Sequence, residues 1–243
     1  MNPVPPERDP DDGEARLQVP MFPLGSVLFP GVTVPLHVFE DRYRALVHHL
    51  LTKPPAERVL GTVAIREGYE VGDHGAQSVH RVGCLLQLTE VEDAGEGRFD
   101  IEVVGRQRLH LHSMDVTSEP YLVGTVTLLE DEAPAPGTPL ADAEDEATAR
   151  ATIVFDAYRA ALSELRGTTV LDGTIPTDPL WSSYALAATC LLTLRERQAL
   201  LEADDTLSRL GMLQLAMREE MRAIRAVPSL PATEVARTRW SPN

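Results

Sequence analysis

The stretch from residue 19 to residue 51 constrains the fold most, because its pattern changes from strand-like to helical within one short segment. Proline at the first and glycine at the second central position suit a tight type II turn, so Pro30-Gly31 predicts a chain reversal across residues 29–32. Pro35 has no N–H to give to a neighbouring strand. The strand around Pro35 is therefore predicted to lie at a sheet edge or to break into two short pieces.

A helix is predicted to begin at Phe39 and to end before Lys53-Pro54-Pro55. Its apolar residues recur at helical spacing and share one face: Phe39, Tyr43, Leu46, Val47 and Leu50. Glu40 and Asp41 stand in the first turn, where the helix dipole favours negative charge. We expect the Phe39 ring to be buried and to anchor this helix.

Several short runs with strand-like composition follow at roughly even spacing. Val59–Ile65 is predicted as a buried strand, residues 67–77 as an exposed loop, and residues 79–91 as a second strand. A hairpin at residues 93–97 leads into a strand in which apolar and charged residues alternate. That strand is predicted to bulge or turn a corner at residues 105–108, and residues 121–129 form another strand. This spacing predicts a small closed or partly open barrel.

The sequence changes character after residue 130. Residues 131–140 combine acids and prolines and are predicted to be a linker, and residues 141–227 carry helical periodicity. Asp178-Pro179 and Thr193-x-x-Glu196 are helix-start signals, the second being a capping box, and Asp205 or Thr206 caps a last amphipathic helix. Residues 1–16 are predicted to be a disordered acidic tail and residues 228–243 a flexible tail.

The motifs of the first half resemble those of the Lon protease N-terminal (substrate-binding) domain family. The matching positions are Pro23-Leu24, Leu28-Phe29-Pro30-Gly31, Pro35-Leu36, Phe39-Glu40-x-Arg42-Tyr43, Gly105 with Arg108, and Pro120-Tyr121. An Arg-Gln-x-Leu-Leu-Glu run extends the resemblance, which covers about residues 17–226. It implies an α+β protein: a barrel like that of pseudouridine synthases and archaeosine transglycosylases (PUA-like) over residues 17–130, followed by an α-helical bundle subdomain.

The residue inventory argues against an enzyme. Lon enzymes add an ATPase module and a serine–lysine peptidase to this domain, and this sequence is predicted to be a stand-alone form without either. No GxxxxGK[ST] motif is present, and Lys53, the only lysine, is followed by two prolines. Cys84 and Cys190 are predicted to be buried, reduced thiols of a cytoplasmic protein. No apolar run is long enough to span a membrane, and we expect no cofactor.

Three clusters could carry chemistry. His110 and His112 project from one strand face, but no further ligand stands nearby in sequence, so we predict no metal site. Carboxylates of the central hairpin could group as in hydrolases, although a solvated outer face explains them better: Glu90, Glu92, Asp100 and Glu102. Arg106 with Arg108 is a small basic pair. Because the net charge is −15, nucleic acid is an unlikely ligand on physical grounds.

The resemblance predicts a non-catalytic protein- or peptide-binding module, an adaptor or substrate-recognition factor in protein quality control. Its partners would be unfolded or degron-bearing proteins or a protease. The candidate anchors for a bound segment are Leu24, Phe29, Pro30 and Leu36, at a barrel groove or by strand addition at the Pro35 edge. The family-motif residues are assigned structural roles, with Arg42 pairing a carboxylate to lock the helix onto the barrel. An RNA-binding PUA-like protein and a hydrolase using the acidic hairpin are the alternatives.

Overall fold

The computed structural model describes residues 15–66, 79–171 and 173–226. The predicted loop at residues 67–77 and the predicted C-terminal tail lie outside these residues, as does the N-terminal tail up to residue 14. Within the described ranges, no helix combines the length and apolar character that crossing a bilayer requires. Cys84 and Cys190 are both buried and form no disulfide, as predicted.

The chain folds into two compact units that divide between Glu130 and Asp131. The described part of the first unit forms six strands, one α-helix and a short 3-10 helix: β1 (Leu17–Met21), β2 (Thr33–Val38), α1 (Asp41–Leu51), the 3-10 helix (Pro55–Glu57), β3 (Val59–Ile65), β4 (Val79–Gly95), β5 (Arg98–Asp115) and β6 (Leu122–Leu129). Residues 131–171 and 173–226 of the second unit form four helices: α2 (Pro139–Arg166), α3 (Pro179–Thr189), α4 (Leu194–Glu202) and α5 (Thr206–Ala226). The predicted α+β class is confirmed.

The strands form one sheet in the order β2-β5-β4-β3-β1-β6, with a further pairing between β5 and β6. All pairs are antiparallel except the short parallel contact of β1 with β3. The long β4–β5 hairpin provides the central ladder. Closure of these strands into a PUA-like barrel stays a prediction.

Strand β5 continues through residues 105–108, where we predicted a bulge or a corner. The register against β4 shifts where Gly105 faces Leu86 and Gln107 faces Leu85, which leaves Arg106 as the extra residue of a bulge. The predicted bulge is therefore confirmed, and β5 runs through it without stopping.

The predicted turn at residues 29–32 docks on this bulge. Gly31 has a φ of 76°, and the Val32 N–H donates to the Phe29 carbonyl at 3.4 Å, as a type II turn requires. The Gly31 N–H donates to the Gly105 carbonyl at 2.9 Å, and the Gly105 N–H donates to the Val32 carbonyl at 3.0 Å. A Cβ at Gly105 would lie 2.1 Å from the Phe29 carbonyl oxygen. Only glycine allows this approach.

Helix α1 covers the core of the first unit with Tyr43, Leu46, Val47 and Leu50. The expectation that Phe39 shares this face is wrong. Glu40, with extended backbone angles, is the N-cap, so the helix begins at Asp41 and its period does not set the direction of Phe39. The Phe39 side chain is 39% exposed.

Local capping groups begin the helices of the second unit. The Thr138 hydroxyl accepts from the Ala141 N–H, and the Asp178 carboxylate accepts from the Trp181 N–H. Thr193 and Glu196 form the predicted reciprocal capping box of α4. The Ser208 N–H donates to the Asp205 carboxylate at the start of α5, again as predicted.

A buried arginine joins the helices and the residue that opens this unit. Arg209 is 0% exposed, and its guanidinium donates to the Leu200 carbonyl and the Ser183 hydroxyl, each at 3.0 Å. The guanidinium also lies 4.1 Å from the centre of the Tyr184 ring and 3.7 Å from the Asp131 carboxylate. The Tyr184 hydroxyl donates to that carboxylate at 2.6 Å. Asp131, the first residue of the predicted linker, is thus fixed to the helices.

Replacing Gly105 with alanine tests the contact between turn and bulge. Gly105→Ala is expected to lower the free energy of unfolding by about 1–3 kcal/mol, because a backbone carbonyl stands where the new Cβ must go. Urea unfolding measures the loss. Gly25→Ala is the matched control, since a Cβ there meets nothing within 4 Å. Equal stability of the two variants would contradict the tight docking.

Replacing Arg209 with methionine tests the buried cluster at nearly constant volume. Arg209→Met is expected to lower the free energy of unfolding by about 3 kcal/mol, because it leaves a largely buried carboxylate without its cation. Arg222→Met, at an exposed position of α5, is expected to change it by less than about 0.5 kcal/mol. A neutral or stabilising Arg209→Met would show that the cluster does not stabilise the unit.

Candidate functional site

The four candidate anchors do not share one exposed surface. Phe29 is fully buried and Pro30 is also buried, so the structure does not support either as an exposed anchor. Both serve the turn that docks on Gly105. Leu24 and Leu36 are only partly buried and pack against the edge of the main core. These two leucines each keep part of their surface exposed, and their role as anchors stays a prediction.

Strand β2 lies at the end of the strand order, as predicted for the strand that contains Pro35, and within the described residues it pairs only with β5. In antiparallel pairs, a residue directs both its N–H and its C=O to the same neighbour, and successive residues alternate. The Gly105 N–H donates to the Val32 carbonyl, so the backbone groups of Thr33, Pro35 and His37 point away from β5. We call these outward backbone groups the β2 edge.

Phe39 stands just beyond the end of β2, beside the β2 edge. Its ring stacks on the His37 ring, with 6.0 Å between the centroids. The His37 Nδ1 lies 2.7 Å from the Asp100 carboxylate on β5. An exposed aromatic ring is thereby held over an ordered side chain at a sheet edge.

Arg42 does pair with a carboxylate, but the pair is local. Its guanidinium lies 2.7 Å from the Glu40 carboxylate and 4.7 Å from the centre of the Tyr43 ring. It therefore stabilises the first turn of α1, and among the described residues it makes no ion pair to a strand that would lock the helix in place. Burial raises the pKa of Tyr43 to about 12, with Arg42 lowering and Glu40 raising it to lesser degrees.

The remaining family-motif residues lie in the core or border it. Arg108 is 5% exposed and Tyr121 is buried beside His49, with 5.3 Å between the two rings. Burial raises the pKa of the Tyr121 hydroxyl, and Glu119 adds to the effect. Pro120 is exposed and directly precedes the buried ring. These positions suit structural roles.

The carboxylates of the central hairpin do come together. Glu90 lies opposite Glu102, and Glu92 lies opposite Asp100, so all four project from the same face of β4 and β5. We call these four residues the acidic face. The Thr89 hydroxyl donates to the Glu102 carbonyl and carboxylate. Glu90, Glu92 and Asp100 are exposed, and Glu102 is half-buried, so the arrangement is a solvated surface without an enclosing pocket of its own.

The histidine pair does not form a metal site, and the arginine pair does not form an RNA-binding surface, among the described residues. His110 and His112 do lie together, with 4.9 Å between their rings, but His112 Nε2 is 2.7 Å from the Thr127 hydroxyl. Across the described ranges, no group of three or more His, Cys, Asp or Glu residues could hold a metal ion. Arg106 is exposed whereas Arg108 is buried, so the two arginines do not form a basic stripe.

The fold is that of Lon N-terminal domains. The Lon N-terminal domain protein from Xanthomonas campestris matches with a TM-score of 0.57 and 24% identity, covering 82% of this chain and 98% of that one. The N-terminal domain of Mycobacterium avium complex Lon protease matches with a TM-score of 0.59 and 18% identity, covering 84% of this chain and 99% of that one.

The chain belongs to the ATP-dependent protease La (LON) substrate-binding domain family, whose family model matches residues 18–219. Lon protease 2 of Herpetosiphon aurantiacus is 27% identical over 84% of this chain, and Lon protease of Parabacteroides distasonis is 29% identical over 48% of it. The matched regions span 24% and 14% of those two proteins, respectively. The predicted family membership is confirmed.

Sequence reasoning missed the exposure of Phe39 and the burial of Arg209. The exposed residues of β2 are the odd-numbered ones, and the next odd-numbered position is Phe39. The alternation of the strand could therefore have indicated that Phe39 is exposed. Arg209 has no comparable local signal, because its partners lie 9 to 78 residues away in the chain.

Alanine substitutions at two neighbouring aromatic residues separate exposed from buried roles. Phe39→Ala is expected to lower the free energy of unfolding by less than about 1 kcal/mol, because the ring is 39% exposed and stacks on an exposed histidine, not on the core cluster. Tyr43→Ala, which removes a buried ring stacked on Phe22, is expected to cost about 3–5 kcal/mol. Chemical denaturation of both variants measures the difference. A large loss in Phe39→Ala would mean that this ring anchors α1 after all.

Proposed function

We propose that this chain is a non-catalytic protein-binding module that engages unfolded or degron-bearing polypeptides through the surface around the β2 edge and Phe39. The observation that carries the proposal is the exposed Phe39 ring beside a strand edge that has one β partner among the described residues. Membership of a substrate-binding domain family supports the same role.

The chemistry of this surface suits an exposed apolar segment. Phe39 offers a large ring whose loss of exposed area on binding is favourable, and its stacking on His37 limits the entropy that binding must remove. Leu36 lies on the same strand and is already half-buried against the core. Leu24 offers a second partly buried leucine in the same unit. Such contacts favour apolar segments with little sequence preference.

A role in protein quality control follows from this proposal. Unfolded proteins expose apolar segments that folded proteins bury, so a receptor for such segments selects clients by their state. The relatives described above are Lon proteases, which supports a protease as a second partner. The module would then act as an adaptor or substrate-recognition factor, binding without cutting.

The two alternatives have weaker physical support. A nucleic-acid ligand would meet a chain of net charge −15 whose predicted basic pair is divided between surface and interior. A hydrolase would have to use carboxylates that project into solvent from an open sheet face, whereas small-molecule sites are concave and enclose most of the ligand. We favour neither.

Binding of an unfolded protein tests the proposal directly. Fluorescence anisotropy with labelled, reduced and alkylated lysozyme is expected to show saturable binding to the wild-type chain. Phe39→Ala is expected to weaken that binding roughly tenfold, as loss of an aromatic contact at the centre of an interface does.

Trp181→Ala is the matched control, because Trp181 is a similarly exposed aromatic residue (41%) on α3 of the other unit. It should leave the affinity unchanged. Absence of saturable binding, or equal weakening by both substitutions, would refute a binding surface at Phe39.

A further inference from the structure

The side chains of the three neighbouring strands β2, β5 and β4 alternate between the two faces of the sheet. Residues directly opposite each other in antiparallel strands project from the same face. Pro35 lies opposite Glu102, which lies opposite Glu90, and His37 lies opposite Asp100, which lies opposite Glu92. The acidic face therefore lies on the same side of the sheet as Pro35 and His37, one strand away from the β2 edge.

The opposite face of the same strands is apolar. Val34 pairs with the buried Val103, and Leu36 pairs with the buried Ile101. Val34 and Leu36 are themselves only partly buried, because within the described residues no strand covers them on the side away from β5. A strand added at the β2 edge would complete this apolar face with every second side chain.

The remaining side chains of an added strand would fall on the acidic face. Such a strand would lie about 5 Å from β2, about 10 Å from β5 and about 15 Å from β4. Long cationic side chains on it can therefore extend across β2 toward Glu102, with Glu90 adding negative charge beyond. Lysine and arginine are the only side chains that combine this length with a fixed positive charge. Acidic side chains at these positions would be repelled.

We propose that the β2 edge accepts an extended polypeptide in which apolar and basic side chains alternate. The Thr33 and His37 backbone groups pair with the added strand at two points, because Pro35 between them has no N–H to donate. The apolar side chains cover Val34 and Leu36, and the basic ones lie on the acidic face. This proposal rests on the protein-binding function and names the chemistry of its client.

Two synthetic peptides test the chemistry. Capped nine-residue peptides of alternating valine and lysine, or alternating valine and glutamate, are titrated by fluorescence anisotropy. At low ionic strength the lysine peptide is expected to bind at least about tenfold more tightly, because one charge about 10 Å from a carboxylate changes affinity roughly twofold and the two peptides carry opposite charges at every second residue. Equal affinities would overturn the proposal.

Charge variants locate the contact. Glu90→Gln combined with Glu102→Gln is expected to weaken binding of the lysine peptide about threefold at low ionic strength, with Glu102 contributing more because it lies on the strand next to β2. The control combines Glu164→Gln with Glu219→Gln, which removes two exposed carboxylates from the helical unit and changes the net charge equally. It should have no effect beyond that of net charge, and equal weakening by the two doubles would overturn the proposed site.

Backbone readouts distinguish strand addition from mere charge attraction. Hydrogen exchange followed by NMR is expected to show that the lysine peptide protects the Thr33 and His37 amides. His37→Pro, which removes one of these donors, is expected to weaken the peptide more than His37→Ala, which keeps it; thermal unfolding confirms that both are folded. Protection confined to other amides, or equal affinities of the two variants, would overturn strand addition.

The outcomes also separate this inference from the protein-binding function. Binding of alkylated lysozyme that His37→Pro leaves unchanged would preserve the function and refute the β2 edge as its site. Failure of both lysozyme and peptides to bind would refute both.

Discussion

The first unit depends on one backbone-to-backbone contact, in which the turn at residues 29–32 docks on the bulge of β5 at Gly105. Two hydrogen bonds hold it, and the Phe29 carbonyl occupies the place of a Gly105 side chain. The contact fixes where β2 begins, because the chain leaves the turn at Val32 already bonded to β5. The register of β2 against β5, from Thr33 opposite Val104 to Val38 opposite Phe99, follows from that starting point.

The register decides which residues a partner can meet. Since side chains alternate along a strand, fixing Val34, Leu36 and Val38 toward the core sends Pro35 and His37 outward. Phe39 continues this alternation for one more position before Glu40 caps α1. Helical spacing assigns the same phenylalanine to the core-facing side of α1. Phe39 lies between the end of β2 and the start of α1. Its side chain follows the alternation of the strand because the helix begins only at Asp41.

Features with local causes could be predicted from the sequence, and features with distant causes could not. The Pro30-Gly31 turn, the edge position of Pro35 and the Thr193–Glu196 capping box each arise from neighbouring residues, and the structure confirms them. Of the predicted anchors, Leu36 is partly exposed and stays a prediction, whereas Phe29 is buried within the turn. The Arg209 cluster joins Asp131, Ser183 and Tyr184, which no periodic pattern brings together. Long-range pairing of this kind depends on packing that a single sequence does not display.

The charges of the acidic face bear on self-association as well as on binding. An unpaired strand edge tends to pair with the edge of another copy, and natural sheets oppose this with proline and charge. Pro35 removes the central donor of the β2 edge, and two copies joined there would bring two sets of four carboxylates onto one continuous sheet. The same carboxylates would attract a cationic segment. One arrangement of residues therefore disfavours a second copy and favours a client of opposite charge, so the edge can stay open without becoming a site of aggregation.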